Sequence, residues 1–595
     1  MMASHRPRDE LDPPSRAPHV LREYALLSDG ERGAVLGPRG DIVWMCMPRW
    51  DSDAVFSALL DGPGAYSITP IARFVWGGFY EEGSMVWRSR WVTDNGIIEC
   101  REALAFPGDP HRAVLLRRVV AVDKDAEVRI TLAPRARFGR HGVTGLRSVD
   151  DGWIGRSGPL HLRWTGPPAR TRSVDRHNTL AADLLVPAGR HHDLILEISD
   201  QVLPDRPPDP GASWQATADA WAAAVPVLNT SLEPADSRRS YAVLRGLTSA
   251  SGGMVAAATT SLPERAEAGR NYDYRYVWIR DQCYAGQAAA AAGAPVLLDD
   301  AVRFVTARIL DHGPELRPAY TTQGAAVPDQ QKVDLPGYPG GGNLIGNWVN
   351  QQFQLDAFGE SLLLLAAAGR ADRLDTDHWK AAKIAADAIA TRWTEPDAGI
   401  WEIDPRPWTH SRLTCVAGLR AIARLPRAGP AAGDWLALAD RITADTAANA
   451  THPTGRWQRS PQDPGVDAAL LLPPLRGGID PTDPRSGATL ASYLTDLTRD
   501  GYAYRFRHDD RPLADAEGSF TLCGFLVALA LHQQHRTLDA ARWYERTRAC
   551  TGPPELYSEE WDVAQHQLRG NLPQAFVHAL HLETAARLSK EPDWS

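Results

Sequence analysis

From His19 to about Gln201, apolar and polar residues alternate in short runs separated by turn-forming residues. Runs such as RAVLLRRVVAV (Arg112 to Val122), EVRITLAP (Glu127 to Pro134) and HDLILEIS (His192 to Ser199) are rich in β-branched residues, and a period of two predicts strands. This half is expected to be an antiparallel β-sandwich spanning 19–202, preceded by a polar, Pro-rich and disordered arm at 1–18. LPDRPPDPG (Leu203 to Gly211) breaks regular structure, so 203–235 is expected to be a linker with a helix. Beyond it the chain turns rich in Ala and Leu and the period lengthens towards that of helices. In HWKAAKIAADAIATRW, Ile384, Ala385, Ala388, Ile389 and Trp393 fall on one face. Similar segments separated by Gly and Pro clusters predict helical hairpins over 236–590, closing into an α/α barrel.

A chain of 595 residues is too long for one core, which agrees with two domains. Its 73 acidic and 64 basic residues are interspersed, which argues against a nucleic-acid partner. No apolar run reaches the length of a bilayer span, and MMASHRPRDELDPPSR contains no apolar signal region, so a soluble cytoplasmic protein is expected. The six cysteines are scattered without metal-ligand spacing and read as buried thiols; no metal or cofactor is expected.

Two carboxylate-bearing segments stand out. GIWEIDP (Gly399 to Pro405) and LYSEEWD (Leu556 to Asp562) each set a glutamate beside aromatic residues. Cleaving a glycosidic acetal requires one carboxylic acid to protonate the leaving oxygen and a second carboxylate to activate water or attack the anomeric carbon. Glu402 and Glu559 are the candidates, although either alone would ordinarily be a solvated surface charge. Next to Trp401 in a partly apolar cleft, Glu402 is expected to favour its protonated form, as a general acid must. His410 is a second potential proton donor, but a histidine at a helix start is more often structural. Glu559 and Glu560 are adjacent, and only one of them can point into a given cavity.

RNYDYRYVWIRDQ (Arg270 to Gln282) crowds four aromatic rings among ionic groups, which would be costly in a purely structural element. Arg280 as donor and Asp281 as acceptor suit sugar hydroxyls, with Trp278 as an apolar wall; a structural Arg–Asp pair at a helix start is the competing explanation. LPGYPGGGNLIGN (Leu335 to Asn347) lacks the Gly-Lys-Ser/Thr ending of a phosphate loop and reads as a tight loop at the barrel mouth. The following WVNQQFQLDAFGE (Trp348 to Glu360) reads as helical, and PRWDSD (Pro48 to Asp53) as a domain-interface loop.

Together with EYALLSDGERGAVLGPRGDIVWMCMPRWDSDAVFSALLDG, GGMVAAATTSLPE, QLDAFGE, EGSFTLC and GNLPQAFVHAL, these segments occur in an order that resembles glycoside hydrolase family 15, the bacterial glucoamylase and trehalase family. The resemblance runs from Tyr24 to about Leu588. It implies a β-sandwich followed by an (α/α)6 barrel holding one terminal glucosyl unit, and an inverting reaction that releases β-glucose from an α-glucoside. By motif position it implies Glu402 as general acid, Glu559 as general base, Tyr274 near the catalytic water, and Trp278, Arg280, Asp281 and Trp401 around the non-reducing glucose.

The chain departs from the family pattern at Ala258, where proline is common, at Thr414 and Val416 around Cys415, and at Gly524-Phe525 after Cys523. All but the first are expected near the acceptor side of the pocket, where they would bear on substrate choice. The expected partner is a small α-glucoside, with trehalose ahead of malto- and isomalto-oligosaccharides. An inverting disaccharide phosphorylase, which would lack the base carboxylate, and a catalytically silent sugar-binding protein are the rival readings.

Overall fold

The computed structural model describes residues 18–264, 271–508 and 511–591. Nearly all of the expected N-terminal arm, and Arg270 of the aromatic motif, lie outside the described residues.

The first part of the chain folds into two antiparallel sheets of eight strands each. One runs Ala25–Ser28, Gly33–Leu36, Asp41–Cys46, Ala65–Pro70, Ala126–Ala133, Leu180–Val186 and Arg172–Ser173, with Ala54–Phe56 beside the third. The other runs Val143–Val149, Gly152–Ser157, Leu160–Thr165, His191–Ser199, Arg112–Ala121, Gly96–Leu104, Trp87–Thr93 and Phe74–Tyr80. Along Ala126–Ala133 the alternation turns Val128, Ile130 and Leu132 into the core. His191–Ser199 departs from alternation because its inner members are covered on both faces. There the buried Glu197 carboxylate is met by Arg163, which keeps the charge tolerable away from water.

Helix α1 (Pro210–Ala224) follows the Pro-rich break. It docks on the second sheet: Trp221 stacks on Phe106 with ring centroids 3.9 Å apart, and the Trp214 indole N–H donates to Asp193 at 3.1 Å. The segment expected to be a linker therefore has its helix packed on the sheet domain.

Twelve further helices follow among the described residues: α2 (Pro234–Leu247), α3 (Ile279–Ala291), α4 (Pro295–His312), α5 (Asp356–Arg370), α6 (Thr376–Arg392), α7 (Thr409–Ala423), α8 (Ala431–Asn449), α9 (Leu472–Leu475), α10 (Pro484–Asp496), α11 (Thr521–Gln533), α12 (Thr537–Arg548) and α13 (Ala575–Leu588). The odd-numbered members from α3 onward form an inner ring. α3 packs on α5, α5 on α7, α11 on α13, and α13 closes back on α3, while short α9 bridges α7 and α11. Outside it α2, α4, α6, α8 and α12 lie against α13, α3, α5, α7 and α11 respectively. This is the (α/α)6 arrangement. Inner helices are covered on all sides, so α11 (TLCGFLVALALHQ) is buried along its whole length. Gly359 on α5 and Gly418 on α7 let two inner helices approach closely: a Cβ on Gly418 would stand 2.4 Å from the Gly359 carbonyl oxygen.

Trp348 to Glu360 is not one helix. A 3-10 turn over Trp348–Gln351 ends before α5 begins at Asp356, and Gln354, in the gap, turns its amide to the site described below. The loop 335–347 packs against Ser261 and Asn271, with Leu344–Ile345 paired to Gln331–Lys332. PRWDSD is an interface loop, pinned by Arg275, whose guanidinium donates to Ser52 O at 2.8 Å and Trp50 O at 3.3 Å while two nitrogens hold Asp273 at 2.7 and 2.9 Å. All six cysteines are buried and free, and among the described residues no helix is long and apolar enough to cross a membrane.

Candidate active site

The N-terminal ends of the inner helices, with the loops that enter them, lie at one end of the barrel and carry the predicted residues. Trp278, Arg280 and Asp281 stand at the start of α3, Gln354 and Asp356 at the start of α5, Glu402 on the loop into α7, and Phe520 just before α11. Glu559 leads into the short strand Glu560–Asp562, which pairs with Ser519–Phe520 and Gln567–Arg569 ahead of α13.

The loop that carries Glu402 is held from beneath. Asp397 Oδ2 accepts from Ser411 Oγ at 2.8 Å, Gly399 N at 3.0 Å and Leu355 N at 3.3 Å, which ties the loop to α7 and to the entrance of α5. Burial pushes the Asp397 carboxyl up to about 7. Gly399 has φ +65°, and a Cβ there would approach Trp408 to 2.8 Å, so the turn requires glycine. Glu402 itself has φ 53°, a left-handed conformation that a non-glycine residue adopts at a cost. Its Oε1 accepts from the Trp278 indole at 2.7 Å and from Arg280 at 3.2 Å. Oε1 is thus committed to two donors, and Oε2 takes neither of them.

Arg280 is fixed by Gln354 Oε1 at 2.7 Å and Asp356 Oδ2 at 3.5 Å in addition to Glu402. Its neighbour Asp281 is buried, and among the described residues no side chain donates a hydrogen bond to it. Burial, only partly offset by Arg280, pushes its carboxyl up to about 7.

On the other side Glu559 is buried beneath the Tyr274 hydroxyl, which lies 3.2 Å from its Oε2 and 3.4 Å from its Oε1. Burial, and then the nearby Glu264, hold the Glu559 carboxyl well above the usual range. Burial and the neighbouring Glu559 likewise keep the Tyr274 phenol protonated, hence a donor. Glu560 is engaged elsewhere: its Oε2 accepts from Gly518 N at 2.8 Å and its Oε1 lies 4.0 Å from Arg505. Arg505 also grips Glu517 at 2.5 Å, and with His508 it outweighs burial there and holds Glu517 at about 2. Of the adjacent pair it is therefore Glu559 that meets Tyr274.

Aromatic rings join the two sides. The Tyr274 ring meets Trp278 edge to face at 5.7 Å, and Trp401 meets Phe520 at 5.6 Å. The structure thus brings together Tyr274, Trp278, Arg280 and Glu402 through direct contacts, reaches Glu559 through Tyr274, and places Asp281 and Trp401 beside them. A cavity of about 180 Å³ opens along the 403–408 loop, lined among others by Asp404, Arg406, Arg459, Phe506 and His508.

His410 is structural in its contacts. It is buried, bonded to Thr414 Oγ1 at 3.1 Å, and lowered to about 3 by burial and then Arg280. Thr414 thus lies behind His410, and Val416 is fully buried in α7. Gly524 faces the outer helix α12, where an added Cβ would come within 2.3 Å of Thr547 Oγ1. The expectation that these positions line the acceptor side is corrected accordingly: they serve helix packing. The sequence reading missed Glu264, Gln354, Asp356 and Arg505 as neighbours of the site. Glu264 closes the quoted segment GGMVAAATTSLPE, which is the one signal that pointed to it.

A model of the family described as glycosyl hydrolases family 15 matches residues 239–586, and one described as trehalase-like, N-terminal, matches residues 15–203. The chain belongs to glycosyl hydrolases family 15 and is a glycoside hydrolase. It is 30% identical to a trehalase of Mycobacterium tuberculosis over 94% of this chain and 88% of that protein. To trehalase 1 of Sulfolobus acidocaldarius it is 28% identical, over 94% of this chain and 97% of the relative. Its fold is similar to that of a bacterial glucoamylase complexed with acarbose, with a TM-score of 0.72 at 13% identity over 96% of both chains.

Proposed function

We propose that this α-glucoside hydrolase is exo-acting and inverting, that it releases β-glucose, and that trehalose is its first substrate, ahead of malto- and isomalto-oligosaccharides. One observation carries the reading. Tyr274 touches Glu559 with its hydroxyl and Trp278 with its ring, and Trp278 in turn holds Glu402, so the two carboxyls flank one aromatic wall. In this reading Glu402 gives the proton on Oε2 to the glycosidic oxygen. Glu559 takes a proton from water, whose oxygen attacks the anomeric carbon from the opposite face; inversion calls for carboxyls about 6.5 to 9.5 Å apart. The raised Glu559 makes a strong proton acceptor. Asp281, a buried acceptor with no side-chain donor among the described residues, and Arg280 take hydroxyls of the terminal glucose, while Trp278 and Trp401 line the ring.

The trehalase names of the relatives support trehalose as substrate. A phosphorylase needs no base carboxylate, and Glu559 under Tyr274 speaks against that alternative. Time-resolved NMR on trehalose, maltose and isomaltose tests substrate and stereochemistry together. Expected is fastest cleavage of trehalose with β-glucose appearing before mutarotation. From trehalose, inversion frees one β-glucose from the attacked ring and one α-glucose as the leaving ring, so initial release of α-glucose alone, phosphate-dependent glucose 1-phosphate, or binding without cleavage would each overturn the proposal.

A further inference from the structure

Glu264 and Glu559 share one donor and one patch of backbone. The Tyr274 hydroxyl lies 3.3 Å from Glu264 Oε1 and 3.2 Å from Glu559 Oε2. Both side chains pack over Gly570, where an added Cβ would stand 3.4 Å from Glu264 Cγ, 3.8 Å from Glu559 Cβ and 4.0 Å from Glu559 Oε2. Gly570 N donates to Pro263 O at 2.8 Å, and Arg569 Nη1 lies 3.5 Å from Glu264 O, so the segment ending in Glu264 is fastened to the strand beyond Glu559. Both glutamates are buried.

We propose that Glu264 is a positioning residue for the hydrolysis, paired with Glu559 across the Tyr274 hydroxyl, and that its charge makes Glu559 a stronger proton acceptor than a lone glutamate. The proposal rests on the reading of Glu559 as the base. In the reaction a water O–H bond gives its proton to Glu559 as the water oxygen bonds to the anomeric carbon. The glycosidic C–O bond breaks, and Glu402 protonates the departing oxygen. Glu264 exchanges no atoms. Its negative charge favours the proton on Glu559, and the bridging tyrosine orients both carboxyls.

Other charges face Glu559 too. Among the described residues, Glu264 acts on its carboxyl most strongly after burial itself, while Arg505 draws it down and Glu560 pushes it up. Arg505 divides its charge between Glu517, which His508 also holds, and Glu560. Arg569 is paired with Asp562, and Glu402 acts from beyond Tyr274. Among the described residues, Glu264 is the one that shares a hydrogen-bond donor with Glu559.

The test is the pH dependence of kcat/KM for the wild type, Glu264→Gln and Tyr274→Phe. Activity falls as pH drops through the titration of the base. Removing the like charge at Glu264 lowers that point, so Glu264→Gln should move the acid limb down by about one pH unit. The weaker base should also cut the plateau rate about tenfold. Tyr274→Phe, which removes the donor shared by two carboxylates, should move the limb the opposite way. An acid limb that stays in place in folded Glu264→Gln, or that moves the same way in both variants, overturns the pairing. Glu559→Ala with added azide separates the two readings. Recovery of glucosyl azide formation in that variant, and not in Glu264→Ala, supports both. Normal hydrolysis by Glu559→Ala removes the base assignment itself, whereas an inactive Glu559→Ala beside an unmoved Glu264→Gln limb removes only the pairing.

Discussion

The indole nitrogen of Trp278 donates to Oε1 of Glu402 at 2.7 Å, across 124 residues of sequence. A tryptophan expected to be only an apolar wall thus orients the proposed acid and leaves Oε2 to carry the proton. Trp278→Phe keeps the wall and removes the donor. A hydrogen bond to a charged group contributes about 1.5 to 3 kcal/mol, so kcat should fall about 10- to 100-fold with little change in thermal stability. Steady-state kinetics beside a melting curve checks this.

The two carboxyls should separate by leaving group. Glu402→Gln and Glu559→Gln are each expected to lose about 10² to 10⁴-fold on trehalose. α-Glucosyl fluoride needs no protonation of its leaving group, so Glu402→Gln should recover most of its rate on the fluoride while Glu559→Gln stays slow. Equal loss on both substrates for Glu402→Gln would remove it from the acid role.

Arg280 touches Glu402, Gln354 and Asp356 at once. Arg280→Ala should lower kcat/KM about 100-fold or more, because it takes away the proposed sugar contact and leaves Asp356 and Glu402 without their cation. Unchanged catalytic efficiency would contradict its place in the pocket.

Asp281, a proposed sugar ligand, sets stability against that role. Its carboxyl titrates near 7 in the folded protein, above the ordinary 3.8, so the folded state binds the extra proton between those values. Its contribution to stability is therefore fully present below about pH 4 and is lost as pH rises to about 7. Asparagine does not titrate. Asp281→Asn should melt progressively higher than the wild type as pH is raised across that window, while its kcat/KM falls. A melting difference independent of pH would refute this account.

Arg275 couples the two domains behind the site. It neutralises the buried Asp273 and holds the 50–52 loop of the sheet domain, one residue from Tyr274. Breaking one side of a buried pair costs about 3 to 5 kcal/mol. Arg275→Met should thus lower the denaturation midpoint strongly and depress kcat as well, which chemical denaturation and kinetics can read on the same preparation.

The strands of the first half and the inner and outer helices of the second were legible because burial imposes a period on the chain. Ala126–Ala133 alternates as a strand covered on one face does, and α11 is apolar all round as a helix covered on every face must be. Glu402, Glu559 and the aromatic motif could be picked out because carboxylates and rings concentrated in short segments are costly without a purpose. Other features were decided only by the tertiary structure. The break before α5 that frees Gln354, the Trp278 bond to Glu402, the use of Glu560 as a backbone anchor and the approach of Glu264 to Glu559 join residues from separate loops. Periodicity records which face of an element is buried. Which loop ends meet above a closed ring of helices depends on how six inner helices pack, and that packing leaves no local pattern in the chain.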